Sequence, residues 1–436
     1  RAVAGSSSNN FSTLDLSIIK SNSTISVTGT NIFIYNGTNQ GPTTYAKTGS
    51  SNLPTFSYQG TNYAGVAYGP SSNRPTKVGN YTATATVAED TFYYGATSAP
   101  FIFVITNKGI TGSFTANNRV YDGTTDATVA SQSLTGVVGG DTVSLTGGTA
   151  VFGDKNVGNG KTVTLTGASL TGADAGNYSL NSVSTTTANI TKKNLTVFNG
   201  VAENKVYDAT TAATVTGAVL QSVAVGSGTS SDGKYYTGDG LSLNGSGSGT
   251  FADKNVGTGK SVTTTMTISG TDAGNYNLAQ PAGLTANITK KDLTVFNGVA
   301  QNKVYDATTA ATVTGAVLQN VAVGAGTADD GKYYVGDTVS LSGSGSGAFA
   351  DKNVGTGKSV TTSMTIAGPG AGNYNLVQPT TLTANITKKD LTVYSAAAQN
   401  KVYDATTSAT VTGAVLQSVA VGSGTSSDGK YYVGDT

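Results

Sequence analysis

Three aspartates recur at fixed places in each of three related segments and are the residues best suited to bind a cation. In the third segment they are Asp306, Asp337 and Asp351. Proteins bind Ca²⁺ through several carboxylate and carbonyl oxygens that converge on one point, so these aspartates are candidate calcium ligands. In the alternative interpretation, each aspartate lies in its own turn and accepts hydrogen bonds from nearby backbone N–H groups. The turn-like sequences around them favour that alternative, and no cofactor is expected.

The loop Asp329–Tyr334, with the sequence DDGKYY, is a candidate contact surface. It combines acidic side chains with a lysine and paired aromatic rings, and tyrosine is favoured in contact patches. The members of this surface are Asp329, Asp330, Lys332, Tyr333 and Tyr334. Stacking of the tyrosines on sugar rings is one use of such a loop. Strand alternation favours a second interpretation, in which one tyrosine of the pair lies in the core.

Recurring lysines and asparagines suggest a third chemistry, an internal Lys–Asn isopeptide crosslink. The lysines occupy equivalent positions near strand starts: Lys108, Lys193, Lys291 and Lys389. The asparagines stand in a short recurring motif, Gly-Asn-Tyr, which we call the GNY word: Asn177, Asn275 and Asn373. Lysine at a domain junction is ordinarily solvated. Solvated lysines are therefore the expectation, and the crosslink is the weaker hypothesis.

Composition excludes several kinds of chemistry. The 436 residues include no Cys and no His, which removes thiol catalysis, disulfides, Cys/His zinc sites and the commonest general base. Only 11% of residues are charged and the formal net charge is +1, so no nucleic-acid partner is expected. No apolar run reaches the roughly 18 residues that a membrane span needs, so direct membrane insertion is not expected. The chain is predicted not to be an enzyme.

These residues lie in a repeat of domain size. The word KVYDA occurs at Lys205–Ala209, Lys303–Ala307 and Lys401–Ala405, 98 residues apart, and RVYDG at Arg119–Gly123 is its first version. The words GD, DKNVG, GNY and ANITKK follow in the same order. A period near 100 residues fits one small domain rather than a solenoid unit. The predicted parts are an N-terminal segment (1–11), a first domain (12–108), repeat 1 (109–193, short), repeat 2 (194–291), repeat 3 (292–389) and a partial repeat 4 (390–436).

The two ends of the chain suggest a piece of something longer. The sequence begins with Arg1 rather than Met and stops at Thr436, just past its fourth GD. We therefore expect a segment of a longer polypeptide or a processed product.

Alternation at period two predicts β-strands throughout. Leu284, Ala286 and Ile288 share one face of a strand, while threonine and asparagine occupy the other. Turn signals arrive about every 8–12 residues, as in sandwiches of about seven strands. The predicted fold is all-β, with tandem Ig-like β-sandwich domains, and the short junctions between them predict an elongated semi-rigid rod.

One turn carries a further expectation about backbone geometry. Ala209, Ala307 and Ala405 stand where Gly123 stands in the first copy. Because alanine avoids positive φ, the turn is expected to have ordinary right-handed geometry.

Two family resemblances cover almost everything from about residue 12 onward. KVGNYTATATV at Lys77–Val87 and the strand ending at Ile105 resemble the MBG-type domains of bacterial surface proteins. The later segments resemble the YDG domain family in the order KVYDATT, GDTVSL, FADKNVGTGK, GNYNL and TANITKK. Both resemblances imply β-sandwich modules in large secreted adhesins, such as filamentous-haemagglutinin-like and biofilm-matrix exoproteins.

Three functional hypotheses follow. The first, which the resemblance implies, is the stalk of an extracellular bacterial adhesin that supports surface attachment, cell–cell adhesion or biofilm formation. Its partners would be cell-surface or matrix components, polysaccharide among them. The second is a filament or matrix subunit that binds copies of itself by strand addition through the incomplete repeat 4. The third is a carbohydrate-binding module.

Overall fold

The computed structural model describes residue 17 and residues 19–436. The predicted segment 1–11 lies outside the described residues. The described chain is all-β, which confirms the predicted fold class. Its helical elements are three single 3₁₀ turns, at Ala175–Asn177, Ala273–Asn275 and Ala371–Asn373.

The first domain is built around a six-stranded sheet of order β3-β10-β7-β5-β6, with β9 also paired to β7. The long strand β7 explains the core, because Tyr81, Ala83, Ala85 and Val87 alternate inward and are buried. The strands of this domain are β1 Ser21–Asn22, β2 Thr24–Thr28, β3 Ile32–Ile34, β4 Thr44–Thr48, β5 Thr55–Asn62, β6 Ala67–Ser71, β7 Gly79–Val87, β8 Tyr93–Tyr94, β9 Ala96–Thr97 and β10 Phe101–Thr106.

Repeat 1 consists of a three-stranded sheet (β14-β11-β17) and a five-stranded sheet (β12-β18-β16-β15-β13). Its first strand runs parallel to the strand that follows GNY, with Lys108 opposite Tyr178. The strands are β11 Lys108–Ala116, β12 Arg119–Val120, β13 Asp126–Ala127, β14 Val129–Thr135, β15 Ser144–Phe152, β16 Gly158–Thr171, β17 Tyr178–Val183 and β18 Thr186–Thr191.

Repeat 2 contains a six-stranded sheet of order β20-β22-β26-β27-β30-β21. Its strands are β19 Lys193–Thr196, β20 Val201–Ala202, β21 Lys205–Val206, β22 Ala212–Thr216, β23 Ser222–Val223, β24 Tyr235–Tyr236, β25 Ser242–Asn244, β26 Ser248–Phe251, β27 Gly257–Thr263, β28 Thr267–Ser269, β29 Tyr276–Ala279 and β30 Thr285–Thr289.

Repeat 3 has the corresponding sheet, β32-β34-β38-β39-β42-β33, and a parallel pair β31·β41 with Lys291 opposite Tyr374 and Leu293 opposite Leu376. The alternation predicted for such strands is present, since Leu293 is fully buried. The strands are β31 Lys291–Thr294, β32 Val299–Ala300, β33 Lys303–Val304, β34 Ala310–Thr314, β35 Asn320–Val321, β36 Tyr333–Tyr334, β37 Ser340–Ser342, β38 Ser346–Phe349, β39 Gly355–Thr361, β40 Thr365–Ala367, β41 Tyr374–Val377 and β42 Thr383–Thr387.

Residues 390–436 form only two-stranded ladders among the described residues: β43·β46, β44·β45 and β47·β48. Their bounds are β43 Val393–Tyr394, β44 Ala397–Ala398, β45 Val411–Thr412, β46 Val415–Leu416, β47 Ser418–Val419 and β48 Tyr431–Tyr432.

The expectation about the alanine turn is wrong. Ala209, Ala307 and Ala405 have φ of 62°, 63° and 62°, in the left-handed region where Gly123 also lies (φ 80°). The neighbouring Asp306 explains why the strain is tolerated, because its Oδ1 accepts hydrogen bonds from Thr308 N, Thr308 Oγ1 and Lys303 Nζ and fixes the turn.

The chain divides into two compact units. Unit 1 comprises Arg1–Lys193, Val223–Asp232 and Gly274–Asn277, and unit 2 comprises Asn194–Ser222, Gly233–Ala273 and Leu278–Thr436. Unit 1 therefore contains the contact between the first domain and repeat 1, and unit 2 contains the contacts that join repeat 2 to repeat 3 and repeat 3 to repeat 4.

Candidate functional site: the clusters that join successive repeats

The aspartate of the GD word in repeat 3 binds side chains from the preceding repeat. Asp337 Oδ2 accepts a hydrogen bond of 2.8 Å from the hydroxyl of Tyr207, and Oδ1 accepts one of 2.9 Å from Lys254 Nζ. Tyr374 of repeat 3 donates a third, of 2.7 Å, to Oδ2. The Asp337 side chain is only 4% exposed. We call Tyr207, Lys254, Asp337 and Tyr374 the Asp337 cluster.

Local structure positions the two donors from repeat 2. Tyr207 follows the short strand β21, and its backbone N–H donates to the carbonyl of Thr289, so the ring is fully buried. Lys254 stands in the DKNVG turn, where Asp253 accepts from the backbone N–H of Asn255 and from Lys260. The YD and DKNVG words therefore present one tyrosine and one lysine to the next repeat.

A second contact accompanies the cluster. Asn373 of the GNY word accepts a hydrogen bond of 2.9 Å from the backbone N–H of Val256, and its Nδ2 donates to Asn255 Oδ1 at 3.2 Å. In unit 1, Asn275 contacts Val157 N (2.9 Å) and Asn156 Oδ1 (3.1 Å) in the same way. The GNY asparagine of one repeat thus holds the DKNVG turn of the repeat before it.

Related clusters occur at two other junctions. Between the first domain and repeat 1, Tyr35 and Tyr178 both donate to Asp141 Oδ2, at 2.8 and 2.5 Å. Between repeats 3 and 4, Tyr305 donates to Asp435 Oδ1 at 2.7 Å, and Lys352 lies 3.3 Å from the same oxygen. The tyrosine pair also recurs, because the rings of Tyr35–Tyr178, Tyr121–Tyr276 and Tyr207–Tyr374 pack edge to face, with centroids 5.3–5.5 Å apart.

The electrostatics of the Asp337 cluster favour an ionised carboxylate and neutral phenols. Burial opposes ionisation of Asp337, but hydrogen bonds from Tyr374, Lys254 and Tyr207 outweigh it and hold the pKa of this carboxyl below its ordinary value. Burial, together with the hydrogen bond to Asp337, raises the pKa of Tyr207 to about 12. The hydrogen bond to Asp337 raises the pKa of Lys254. At neutral pH the cluster joins one carboxylate to one ammonium and two phenols.

The candidate contact loop folds back on β31, the first strand of repeat 3, which begins at Lys291, one residue before the predicted repeat boundary. Lys291 Nζ donates to Asp330 Oδ1 and to the carbonyl of Thr327, and it lies 5.2 Å from the centre of the Tyr334 ring. Tyr334 is 2% exposed, which confirms that one tyrosine of the pair lies in the core. Asp329 is exposed, whereas Lys332 and Tyr333 are half-buried. A contact surface at this loop stays a prediction.

The expectation that the junction lysines are solvated is wrong for Lys193 and Lys291, which are both fully buried. The carboxylates of Asp232 and Asp330 balance their charges, and each lysine also binds a backbone carbonyl. A buried charge needs such a partner because desolvation otherwise makes it costly. The GNY asparagines have different partners: Asn275 and Asn373 bind the DKNVG turns described above, and Asn177 accepts a hydrogen bond from the backbone N–H of Val78. The structure therefore does not bring the Lys–Asn pairs into hydrogen-bond contact.

The three calcium candidates lie in three separate environments. Asp306 binds Lys303 and Thr308, Asp337 forms its cluster, and Asp351 binds Lys358 and the backbone N–H of Asn353. Among the described residues, no group of three or more acidic side chains is placed to hold a metal ion. The turn interpretation is confirmed for Asp306 and Asp351, while for Asp337 it is wrong, because its side-chain partners come from two repeats.

The sequence did not predict that the GD aspartate would bind side chains of the preceding repeat. Tyr207–Asp337 and Tyr305–Asp435 are each separated by 130 residues, more than one repeat length. The only signal was that the YD, DKNVG, GD and GNY words always occur together.

In the part of the chain that the structure describes, no helix is long and apolar enough to cross a membrane.

The fold and these junctions define a class of protein: tandem all-β domains whose neighbours are joined by side-chain clusters. Within that class, the chain belongs to the YDG domain family. The family matches residues 106–188, 191–283 and 289–382, more than half of the chain, which confirms the YDG resemblance.

No curated protein sequence matches the chain. Among solved structures it is similar to the crystal structure of Drosophila N-cadherin EC1-4, with 8% identity and a TM-score of 0.19 over 83% of this chain and 99% of that one. At that TM-score the similarity supports no conclusion about the fold or the function of this chain.

Proposed function

We propose that this chain is a structural repeat region, the stalk of an extracellular bacterial adhesin, which supports attachment to surfaces, to other cells or within a biofilm. In this proposal the chain has no catalytic chemistry, and its first domain is of the MBG type. The observation that carries it is the recurrence of the tyrosine–aspartate bond between neighbouring repeats. Such a bond resists bending between neighbouring domains, as a stalk that keeps its domains in line requires.

The cluster resists bending for a physical reason. Two buried phenols and one ammonium share a single carboxylate, and hydrogen bonds to a charged group contribute about 1.5–3 kcal/mol each. Bending at the junction would separate Tyr207 and Lys254 from Asp337 and leave a carboxylate with too few donors. The GNY asparagine adds a second point of attachment, so rotation about one bond alone does not release the neighbouring domains.

Small-angle scattering of the full chain tests the mechanical part of this proposal. Because a stalk holds its successive domains in line, it is expected to give an extended particle. The Asp337→Ala variant is expected to scatter as a more flexible particle. As a control, Asp351→Ala removes a carboxylate whose partners lie within repeat 3. A compact wild-type particle, or equal flexibility in wild type and Asp337→Ala, contradicts the proposal.

The adhesive part needs a test on cells. A binding module of known target is fused to the chain and displayed on a non-adherent bacterium, with the chain either intact or lacking residues 194–389. A stalk is expected to give weaker capture of target cells when it is shortened, because the module is then buried among other surface molecules. Equal capture by the two lengths argues against a stalk role.

A further inference from the structure

The outer face of the six-stranded sheet in the first domain carries a patch of exposed aliphatic side chains. Ile32, Ile34 and Ile102 are 60%, 63% and 70% exposed, and Val104 is half-buried. Ile32 lies opposite Val104 on the neighbouring strand, while Ile34 and Ile102 each stand two residues further along the same face. We call these four residues the Ile102 patch. Contiguous exposed apolar side chains of this kind mark a surface that contacts another molecule.

The fold does not require this patch, because the YDG repeats have polar residues at the same places. The strand order β21-β30-β27 of repeat 2 matches β3-β10-β7, and Lys205 opposite Ile288 corresponds to Phe33 opposite Ile105. At the places of Ile32, Ile102 and Val104 the repeats have asparagine, threonine and asparagine: Asn118, Thr187 and Asn189 in repeat 1, Asn204, Thr285 and Asn287 in repeat 2, and Asn302, Thr383 and Asn385 in repeat 3. Of these four domains, only the first has aliphatic side chains there.

A shallow groove lies beside the Ile102 patch on the same face. Its volume is about 490 Å³, and its lining includes Ile102 on one side together with Gln59 and Thr82. The groove is open because the outward positions of β6 are Ala67 and Gly69, which have little or no side chain. The face therefore has a ridge at β3 and β10 and a depression at β5 and β6, with β7 between them.

The face has no charge. The five strands β3, β5, β6, β7 and β10 contain no Lys, Arg, Asp or Glu. A second copy of the same face therefore approaches it without like-charge repulsion. A strongly charged partner, such as an acidic peptide, finds no opposite charge on these strands. Charge complementarity thus favours a copy of the face itself.

The backbone edge of β3 is not free for strand addition. The carbonyl of Ile32 accepts a hydrogen bond of 3.1 Å from Thr30 Oγ1, and the carbonyl of Ile34 accepts one of 2.8 Å from Gln40 Nε2. Because both carbonyls already have a side-chain donor, a contact at this place uses the face of the sheet rather than its edge.

We propose that this face binds the same face of a second copy of the chain, about a twofold axis near β7. The Ile102 patch of each copy then packs into the groove of the other, because ridge and groove lie on opposite sides of β7. Five strands about 4.8 Å apart, each with about five residues of about 3.3 Å, give a face of roughly 400 Å². Two such faces together bury roughly 800 Å², less than the about 1,200 Å² of stable interfaces, so the dimer is weak. The proposal does not depend on the stalk function.

Sedimentation equilibrium of the full chain measures the association. The average mass is expected to rise from 43.6 kDa towards twice that value, with a Kd on the order of 100 μM. The triple variant Ile32→Asn, Ile102→Thr, Val104→Asn carries the residue types that the repeats have, so its sheet is expected to fold and its Kd to rise at least tenfold. Ile102→Thr alone is a milder second test. The matched control Val299→Thr alters a valine of repeat 3 that is 56% exposed and should leave the Kd unchanged.

Chemical crosslinking tests the twofold arrangement. Packed sheets lie about 10 Å apart, so a short bismaleimide reagent spans the gap better than a disulfide does. The chain has no cysteine, so an introduced one is unique. Thr82→Cys, on the central strand β7, is expected to give a covalent dimer because the axis places it near its own copy. Val299→Cys is expected to react much more slowly.

Three outcomes overturn the proposal. They are a monomer at about 1 mM chain, ten times the expected Kd, an unchanged Kd in both the triple variant and Ile102→Thr, and equal crosslinking at positions 82 and 299. Other occupants of the face give their own results. If the chain self-associates only after deletion of residues 1–16, that segment covers the face and the proposal fails. If the chain stays monomeric, and a soluble neutral glucan in a native gel retards it but not the triple variant, the face binds polysaccharide and the proposal fails.

Discussion

The Tyr207 hydroxyl donates a hydrogen bond of 2.8 Å to Oδ2 of Asp337, which lies 130 residues further along the chain. The first residue belongs to the YD word of repeat 2 and the second to the GD word of repeat 3. The bond gives both words a second role. Each has the sequence of a local turn, and each also supplies one side chain to the contact between repeats 2 and 3.

Replacing Asp337 with alanine is expected to destabilise the contact between repeats 2 and 3 by about 3–5 kcal/mol, since the change leaves two buried phenols and Lys254 without their acceptor. Hydrogen exchange in peptides that contain Tyr207 and Val256 reports the local opening free energy. The control Asp351→Ala should leave those peptides protected. Unchanged exchange in Asp337→Ala would show that apolar packing alone holds the junction.

Replacing Tyr207 with phenylalanine is expected to cost about 1–2 kcal/mol, because the change removes one hydrogen bond to a charged acceptor while the ring packing stays. The same exchange measurement applies. Tyr333→Phe is a suitable control, since the Tyr333 ring is half-buried and has no role in the Asp337 cluster. A larger effect from Tyr333→Phe than from Tyr207→Phe contradicts the assignment.

The stability of unit 2 is expected to decrease at both ends of the pH scale. The folded-state pKa of Asp337 is lowered, so its stabilisation is complete above the unfolded value near 4 and is lost as pH falls through the folded value. The pKa of Tyr207 is raised to about 12, so its contribution is complete below pH 10 and is lost between about pH 10 and 12. Thermal unfolding against pH checks both limbs. In Tyr207→Phe the alkaline loss should be smaller, and an unchanged alkaline limb would contradict this assignment.

Ala307→Gly is expected to stabilise repeat 3 by about 1 kcal/mol, because Ala307 has φ of 63°, where glycine has no Cβ penalty. The reciprocal change Gly123→Ala should destabilise repeat 1 by a similar amount, since Gly123 has φ of 80°. Denaturant unfolding of the two variants compares them. Destabilisation by Ala307→Gly would mean that the alanine methyl group contributes more packing than the backbone strain costs.

Lys291→Ala is expected to destabilise repeat 3 by about 3–5 kcal/mol, since removing one partner leaves the half-buried carboxylate of Asp330 without its counter-ion. The neighbouring control Lys290→Ala alters an exposed side chain and should change stability by less than about 0.5 kcal/mol. The double variant Lys291→Met, Asp330→Asn is expected to recover much of the loss. Equal losses in the single and double variants would show that the ion pair is not the cause.

Much of the fold could be predicted from the sequence because its causes are local. The alternation of Leu284, Ala286 and Ile288 with polar residues predicts a half-buried strand, and Ala286 and Ile288 are indeed buried. The paired tyrosines predict one buried ring, which is Tyr334. The turn role of Asp306 also follows from its neighbours, because its partners Lys303 and Thr308 are within three residues of it.

The sequence alone determined that this protein is a series of β-domains of nearly equal length, since strand periodicity and turn chemistry act over a few residues. The tertiary structure decided which aspartate faces which tyrosine. Asp306 and Asp337 look alike in sequence, yet one closes a turn and the other binds two repeats together. The reason is physical: a hydrogen bond between residues 130 positions apart depends on how whole domains meet, and no local pattern encodes that contact.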